Sequence, residues 1–294
     1  MTQDSRQSVY ERITATIAAA IEAGAGDFRM PWHTDGTMSA HPVNITTGKP
    51  YRGINTIALW AAAQGAGYGS AIWGTYRQWA ACGAQVRRGE KAALVVFWKI
   101  DEREEDAGDM DDGQSDPRRR VLARGYPVFN AAQVEGYTPP PLPALPASAR
   151  IAHAERFFAA LGVTVREGGT RACYIPARDE IRLPPFAAFR DPIAYYATLA
   201  HEATHWTGHP DRCARELKGR FGSESYAAEE LVAELGAAYL CADLGLACEP
   251  RPDHAAYVAS WLTVLRNDAR AIFTAAAQAQ RAADWMHARQ PFAA

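Results

Sequence analysis

The first segment of the chain has apolar residues at helical spacing. Four of them recur three or four positions apart: Ile13, Ile17, Ala20 and Ile21. This spacing predicts an amphipathic helix over 8–25. A stretch dense in Pro, Gly, Asn and Thr follows at 30–53 and predicts loops. Two short helices are predicted after it, over 55–64 and 75–81.

Two runs rich in β-branched and aromatic residues predict strands, at 92–100 (AALVVFWKI) and 119–130 (RRVLARGYPVFN). The segment between them, 101–116, contains nine acidic residues and one basic residue. Such a segment has little apolar surface to bury, so we expect a solvated loop. Together the three segments predict a β-hairpin with a long tip.

The remainder of the chain has mostly helical periodicity. The predicted helices are 150–161, 192–208, 223–244, 253–266 and 268–289, and the predicted short strands are 163–166, 172–175 and 180–183. Asp191 followed by Pro192 is typical of a helix start. Gly208 and Gly245 are typical of helix ends.

A proline-rich segment, PPPLPALPA at 139–147, separates these two patterns. It is stiff and extended, and it cannot continue a helix or a central strand. We therefore predict an N-terminal domain over 1–138, a linker over 139–149 and a C-terminal domain over 150–294. The expected fold class is α+β, with an α+β N-terminal domain and a mostly helical C-terminal domain.

The composition is typical of a globular protein, with 48% hydrophobic and 22% charged residues, which excludes disorder of the whole chain. No apolar run is long enough to cross a membrane, and the N-terminus lacks a secretion signal. The five cysteines form no CxxC pair, which fits a reducing compartment. We therefore expect a cytoplasmic protein.

The net charge of -2 would by itself argue against a nucleic-acid partner. The average conceals an uneven distribution, because 1–138 contains 15 basic and 16 acidic residues, nine of the acids within 101–116. Without that run, 14 basic residues face 7 acidic ones. The predicted N-terminal domain therefore has a basic surface outside its acidic loop.

This basic region also contains many aromatic residues. Cations follow phosphates and flat side chains stack on unpaired bases, so the combination predicts binding of single-stranded DNA. The candidate residues are Arg52, Trp73, Tyr76, Arg87, Arg88, Lys91 and Lys99. The cluster Arg87-Arg88-Gly89-Glu90-Lys91 lies at an expected junction of strand and turn and is the strongest candidate for phosphate contacts. For Trp73, a place in the core is the alternative.

The predicted helix 192–208 contains His201-Glu202-Ala203-Thr204-His205, an H-E-x-x-H motif. Histidines four positions apart lie on one helix face, so both imidazoles can bind one ion, and Glu202 can accept a proton from a water molecule there. Two nitrogens and one carboxylate suit Zn²⁺, although other divalent metals are possible. The sequence therefore predicts one metal ion per chain, with His201 and His205 as ligands and Glu202 as the catalytic base.

The third ligand is open on the residues alone. Asp211 has the spacing of the metzincins, but the methionine turn of that family is missing. Glu230 and Glu234 lie four apart on a helix face that is otherwise made of small apolar residues, where carboxylates need a cation or a donor. We favour Glu230 as ligand and Glu234 as the partner that orients a histidine. Glu229 and Glu224 remain alternatives.

A phenol close to the ion could stabilise an oxyanion during catalysis. The candidates are Tyr195, Tyr196 and Tyr226, and for each of them core packing is the alternative.

The segments PVNITTGKPYRGIN and WGTYRQWAACGAQVRRGEKAALVVFWK resemble the N-terminal domain of the ArdC antirestriction proteins, which also occurs in plasmid primases of the TraC type. The segments YYATLAHEATHWTGHPDRC and RFGSESYAAEELVAELGAAYLCADLG resemble the zincin-like metallopeptidase domain that follows it. The resemblance implies a bacterial, plasmid-encoded protein that binds single-stranded DNA and protects incoming DNA from host restriction during conjugation.

Two hypotheses of function follow. In the first, the protein is held on single-stranded DNA and cleaves a protein found there, such as a host restriction subunit. In the second, it coats DNA or blocks a nuclease without proteolysis, and the metal is structural. A primase activity is not expected, because the chain has neither a clustered aspartate motif nor a GKT or GKS loop.

Overall fold

The structure is a computed structural model that describes residues 8–25, 30, 41–101, 120–138, 147–217, 223–248 and 255–291. The helices within these ranges are α1 (Val9–Gly24), α2 (Ile54–Ala66), α3 (Tyr76–Ala81), α4 (Ala147–Ala160), α5 (Pro192–Trp206), α6 (Glu224–Leu244), α7 (Ala255–Asn267) and α8 (Ala271–His287). The strands are β1 (Val43–Asn44), β2 (Ile72–Gly74), β3 (Gln85–Val86), β4 (Ala93–Asp101), β5 (Arg120–Asn130), β6 (Val134–Glu135), β7 (Thr164–Glu167), β8 (Cys173–Ile175) and β9 (Glu180–Leu183). The predicted mixed α+β class is confirmed.

Short polar side chains cap several helices where the sequence predicts a start. Ser8 and Thr75 each form a capping box, in which the side chain accepts a bond from the third helical residue and that residue bonds back. Asp191 caps α5 ahead of Pro192, and α6 ends at Gly245 in the left-handed conformation. Several boundaries differ from the prediction. Helix α5 ends at Trp206, two residues before the predicted glycine, and α4 begins at Ala147, three residues before its predicted start and inside the predicted linker 139–149.

The predicted hairpin is confirmed as an antiparallel ladder between β4 and β5, which pairs Ala93 with Val128 at one end and Asp101 with Arg120 at the other. Asp101, the first residue of the predicted tip, belongs to β4, and 102–116 lie outside the described residues. The hairpin belongs to a four-stranded sheet with the order β1-β2-β5-β4. Strands β3 and β6 form a separate pair, and β7, β9 and β8 form a three-stranded sheet with β8 at one edge.

The largest buried cluster contains residues from both sides of the predicted linker. Ile17 of α1 and Ile57 of α2 belong to the same cluster as Tyr239 of α6 and Ala276 of α8. The Tyr239 hydroxyl also donates a 3.0 Å hydrogen bond to the carbonyl of Gly53. The two parts of the chain therefore share one apolar core, and the division at 139–149 stays a prediction about the sequence.

None of the described helices has both the length and the apolar character that a membrane span requires.

Candidate functional sites

Helices α5 and α6 bring together the three residues that the sequence predicts as metal ligands. The Nε2 atoms of His201 and His205 are 3.1 Å apart. The carboxylate of Glu230 lies 3.5 Å from Nε2 of His201 and 3.6 Å from Nε2 of His205. Among the described residues, these three form the group whose ligand atoms lie close enough together to hold one ion.

The spacing of these atoms suits a divalent ion. Ligand bonds of about 2.0 Å in tetrahedral geometry place ligand atoms about 3.3 Å apart. The separations of 3.1, 3.5 and 3.6 Å bracket that distance. The 3.5 Å separation involves Oε2 of Glu230 and the 3.6 Å separation involves Oε1, so two imidazole nitrogens and the Glu230 carboxylate converge on one region. This donor set fits a divalent metal.

Close packing of α5 against α6 allows Glu230 to reach the histidines. A Cβ atom added at Gly236 of α6 would lie 2.5 Å from Cγ2 and 2.7 Å from Oγ1 of Thr204 on α5. Only glycine fits at this position without a shift, because real Cβ atoms do not approach other heavy atoms so closely. Gly236, about 1.7 turns beyond Glu230 on the same helix, thus allows the close approach of the two helices.

Each histidine also faces a second carboxylate through its other ring nitrogen. Oε2 of Glu234 lies 3.6 Å from Nδ1 of His201, in the position predicted for an orienting residue. Oε1 of Glu229 lies 3.2 Å from Nδ1 of His205. Such outer carboxylates fix the ring orientation and make the ligand nitrogen more basic.

Glu229, which the sequence left as an alternative ligand, is not among the three converging residues. Its side chain is 11% exposed, and it accepts hydrogen bonds of 2.9 and 3.1 Å from Arg215. Arg215 also donates to Oγ1 of Thr207 at 2.8 Å and to the carbonyl of Thr204 at 2.5 Å. Arg215 therefore joins the segment after α5 to α6 and holds Glu229 against His205, a role with no signal in the sequence.

The other candidate ligands lie elsewhere. The side chain of Asp211 is 85% exposed and faces His209, so the metzincin-like alternative does not fit the structure. The side chain of Glu224 lies outside the described residues.

The electrostatic environment keeps Glu230 ionised. Burial alone would raise its pKa, but the hydrogen bond with His201 and the charges of both histidines lower the pKa to about 2. Burial raises the pKa of Tyr226, and so do its hydrogen bond with Tyr257 and the charge of Glu230. The carboxylate is thus charged and the phenol keeps its proton.

The candidate metal centre lies in a cleft of about 920 Å³. His201, Glu202, His205 and Glu230 line it together with the edge strand β8. Glu202 is itself 4% exposed when measured over the whole residue. The volume of the cleft lies within the range typical of ligand-binding pockets, roughly 300 to 1,000 Å³.

Of the three candidate phenols, only Tyr226 lies in this cleft. Its hydroxyl is 3.3 Å from the hydroxyl of Tyr257, which lines the same cleft and which the sequence analysis missed. Tyr195 packs against Phe186 and Phe189, as expected for a core residue. Tyr195 and Tyr196 both belong to the largest buried cluster.

The predicted DNA-binding residues differ in their exposure and in their contacts. Tyr76, Arg88 and Lys91 are exposed, as the prediction requires. Arg87 is also exposed but forms an ion pair of 2.7 Å with Glu90. Arg52 pairs with Asp284 of α8, and the side chain of Lys99 lies outside the described residues.

Trp73 does not fit a role in stacking on DNA from an open surface. Its side chain is 1% exposed and packs in a buried cluster with Leu59, Val95 and Val128. The core position, which the sequence left as the alternative for Trp73, is the one observed, and both Trp73 and the following Gly74 are buried in β2.

Comparison with known proteins supports the reading of both parts. Residues 7–129 match the N-terminal domain of anti-restriction factor ArdC, and residues 152–278 match a zincin-like metallopeptidase. The crystal structure of metal-free antirestriction ArdC from plasmid R388 is 40% identical, with a TM-score of 0.78, over 97% of this chain and 98% of that one. A Mn(II)-bound structure of the R388 protein matches with the same identity and TM-score, over 98% of this chain and all of that one.

Two curated relatives extend this picture. The uncharacterized protein y4eC of Sinorhizobium fredii (strain NBRC 101917 / NGR234) is 56% identical over 98% of this chain and 94% of its own length. A DNA primase TraC of Escherichia coli is 39% identical over 96% of this chain, which spans 27% of that protein's length. An ArdC structure matches nearly the whole chain, and the two family models match its N-terminal and C-terminal parts. The chain therefore belongs to the ArdC antirestriction family and carries a zincin-like metallopeptidase domain.

Proposed function

We propose that this protein is a plasmid antirestriction protein that binds single-stranded DNA and hydrolyses peptide bonds, and so protects incoming DNA during conjugation. The observation that carries the peptidase part is the convergence of His201, His205 and Glu230 in a cleft that also contains Glu202. In this proposal the three converging residues are the metal ligands. The target is a protein found at incoming DNA, such as a host restriction subunit.

A divalent ion, of which Zn²⁺ suits the donor set best, would supply Lewis acidity that polarises a carbonyl group and acidifies water. Glu202 is the proton carrier in this proposal: its carboxylate removes a proton from the attacking water and returns it to the nitrogen of the leaving amine. This role is supported by the place of Glu202 next to His201 on α5 and among the residues that line the cleft.

The remaining polar side chains of the cleft have supporting roles. Glu234 and Glu229 hold His201 and His205 in the orientation needed for binding. The hydroxyl of Tyr226, which keeps its proton, can donate to the oxygen that becomes negatively charged as the carbonyl is attacked. Tyr257 positions that hydroxyl through their mutual contact.

The DNA-binding part rests on the exposed residues at the turn between β3 and β4. Arg87, Arg88 and Lys91 lie within five positions of one another, and Tyr76 is exposed nearby on α3, where its hydroxyl accepts a bond from Gln85 at 2.7 Å. Cations and an exposed ring in one region suit phosphates and unpaired bases. The likeness to a DNA primase supports a nucleic-acid partner.

A non-proteolytic protein that coats DNA or blocks a nuclease is the second candidate. It is favoured by the fact that the exposed basic turn does not involve the cleft. In this case the metal centre would stabilise the fold and Glu202 would be dispensable.

Restriction of a plasmid entering by conjugation distinguishes the two candidates. We expect Glu202→Gln to abolish protection while leaving metal binding and thermal stability unchanged, because only the proton carrier is lost. Full protection by a folded Glu202→Gln protein would reject proteolysis. A double variant, Arg87→Glu with Arg88→Glu, should lose binding to single strands and protection together, and protection without DNA binding would reject the DNA-binding part.

A further inference from the structure

A second cavity, of about 720 Å³, lies in the N-terminal half of the chain. It opens between α1, α2 and the segment that joins β3 to β4. Its volume falls within the range typical of pockets for small ligands, roughly 300 to 1,000 Å³. It shares no lining residue with the cleft of the candidate metal centre.

Small side chains on α2 explain why this space is open. Ala58, Ala62 and Ala66 recur at intervals of four and therefore face the cavity from one side of the helix. Ala15 of α1 also lines it. Larger residues at these positions would fill the space, so the cavity is a consequence of the sequence of two helices.

An aromatic pair forms another part of the wall. The rings of Tyr68 and Trp73 meet edge to face with centroids 6.1 Å apart. Trp73 is fixed in the core, and Tyr68 is half-buried at the cavity. A flat, apolar ligand group can therefore pack against Tyr68 and the alanine methyl groups without any movement of the backbone.

Two exposed cations, Arg12 and Lys91, line the same cavity. No hydrogen bond or ion pair joins either charged group to the part of the chain that the structure describes. The carboxylate of Glu90, by contrast, is occupied by Arg87 at 2.7 Å and by the side-chain amide of Gln133 at 3.1 Å. The cavity thus offers positive charge to a ligand, while the carboxylate of Glu90 is already paired with Arg87.

We propose that this cavity binds one unpaired nucleotide, with the base against Tyr68 and the alanines of α2 and the phosphate beside Arg12 and Lys91. The inference rests on the DNA-binding part of the proposed function and adds a defined site to it. A base in a duplex is stacked and paired and cannot enter, so the site selects single strands over duplexes. The same chemistry occurs in a free nucleotide, and the experiment separates the two sources.

The test compares oligothymidine with an abasic strand of the same length, by fluorescence anisotropy of labelled strands. Ala62→Leu fills the cavity without changing any charge. We expect it to weaken binding of oligothymidine about tenfold, equivalent to about 1.4 kcal/mol. Binding of the abasic strand should change less than twofold, because phosphate contacts persist. Ala66→Leu, at the exposed end of the helix, is a second variant with the same expected effect.

Matched controls separate the cavity from general effects. Gln64→Leu places the same side chain on an exposed position of α2 outside the cavity and should bind both strands as the wild-type protein does. Arg12→Gln should weaken binding of both strands, whereas Arg156→Gln, an equal change of charge on an exposed position of α4, should not. Free thymidine monophosphate is then added as a competitor. If it displaces oligothymidine from the wild-type protein but not from Ala62→Leu, the site also binds free nucleotides. If it does not displace the strand from the wild-type protein, the site binds the nucleotide only within a strand.

Unchanged binding of oligothymidine by folded Ala62→Leu and Ala66→Leu would overturn the inference. If Arg87→Glu with Arg88→Glu still abolished binding in that case, the DNA-binding part of the proposed function would stand and only the cavity would be excluded. Loss of binding in neither set of variants would reject both.

Discussion

Replacing Gly236 by alanine tests whether the contact between α5 and α6 positions the candidate metal centre. The new Cβ atom would lie 2.5 Å from Cγ2 of Thr204, whereas carbon atoms in contact are about 3.5 to 4.0 Å apart. Relief of the clash requires a relative movement of about 1 Å, unless Thr204 gives way. Thr204 cannot simply rotate, because its hydroxyl donates a 2.8 Å bond to Ala200 and the whole residue is buried.

Two effects should follow from this movement. Overpacking of a core contact lowers the free energy of unfolding by about 1 to 3 kcal/mol. Displacement of Glu230 from the histidines should also weaken metal binding, which a structural role alone would not predict. Urea unfolding measures the first effect, and titration with Zn²⁺ or Mn²⁺ by calorimetry measures the second.

Two further variants make the reasoning refutable. Thr204→Ala removes Cγ2 and Oγ1, the two atoms nearest to the new methyl group, so combined with Gly236→Ala it should restore most of the metal affinity. Gly65→Ala is the matched control, because Gly65 lies inside α2 with no atom within 4 Å of an added Cβ. It should stabilise the helix by about 0.5 to 1 kcal/mol. Wild-type stability and metal affinity in Gly236→Ala would contradict the predicted role of the contact.

Three further outcomes are expected. Arg215→Ala leaves Glu229 buried without its cation and should lower metal affinity about 10- to 100-fold, and a calorimetric titration that gives the wild-type affinity would contradict this. Removal of the metal by a chelator should lower the melting temperature of the wild-type protein by an amount that grows with the metal concentration of the reference sample, as binding to the folded state alone requires. Burial would raise the pKa of Asp243, but hydrogen bonds with His287 and His41 lower this pKa from 3.8 to about 2. The contribution of Asp243 to the free energy of unfolding is therefore complete above pH 3.8 and is lost as the pH falls towards 2. Asp243→Asn should flatten the fall in urea-unfolding free energy over that window, and an identical acid profile would refute the assignment.

Local patterns explain how much of the fold could be predicted. Helix starts were visible because Ser8, Thr75 and Asp191 satisfy backbone groups within three residues of themselves. The grouping of the two histidines with Glu230 could also be predicted from the sequence. Helical spacing places His201 and His205 on one face, and a carboxylate among small apolar residues requires a partner.

Other features depend on contacts that are distant in sequence. Arg215 reaches Glu229 only because the segment after α5 turns back over α6, and no periodicity encodes that turn. Trp73 and Tyr76 are both aromatic residues in the same basic stretch of the sequence, yet the first is buried in the sheet and the second is half exposed on α3. The cavity at α2 could not be predicted either, because alanine at Ala62 is equally typical of a closely packed helix.

Helix α6 connects the candidate metal centre with the N-terminal part of the chain. Glu230 lies in its second turn, while nine residues later, about 14 Å along the axis, the hydroxyl of Tyr239 binds the carbonyl of Gly53. Near the end of the same helix, Asp243 accepts a bond from His41 at 3.1 Å. A variant that loosens the contact at Gly53 therefore acts on the element that carries Glu230. Stability and metal affinity must accordingly be measured for variants in the DNA-binding part, and DNA affinity for variants in the cleft, before a loss of protection is assigned to either site.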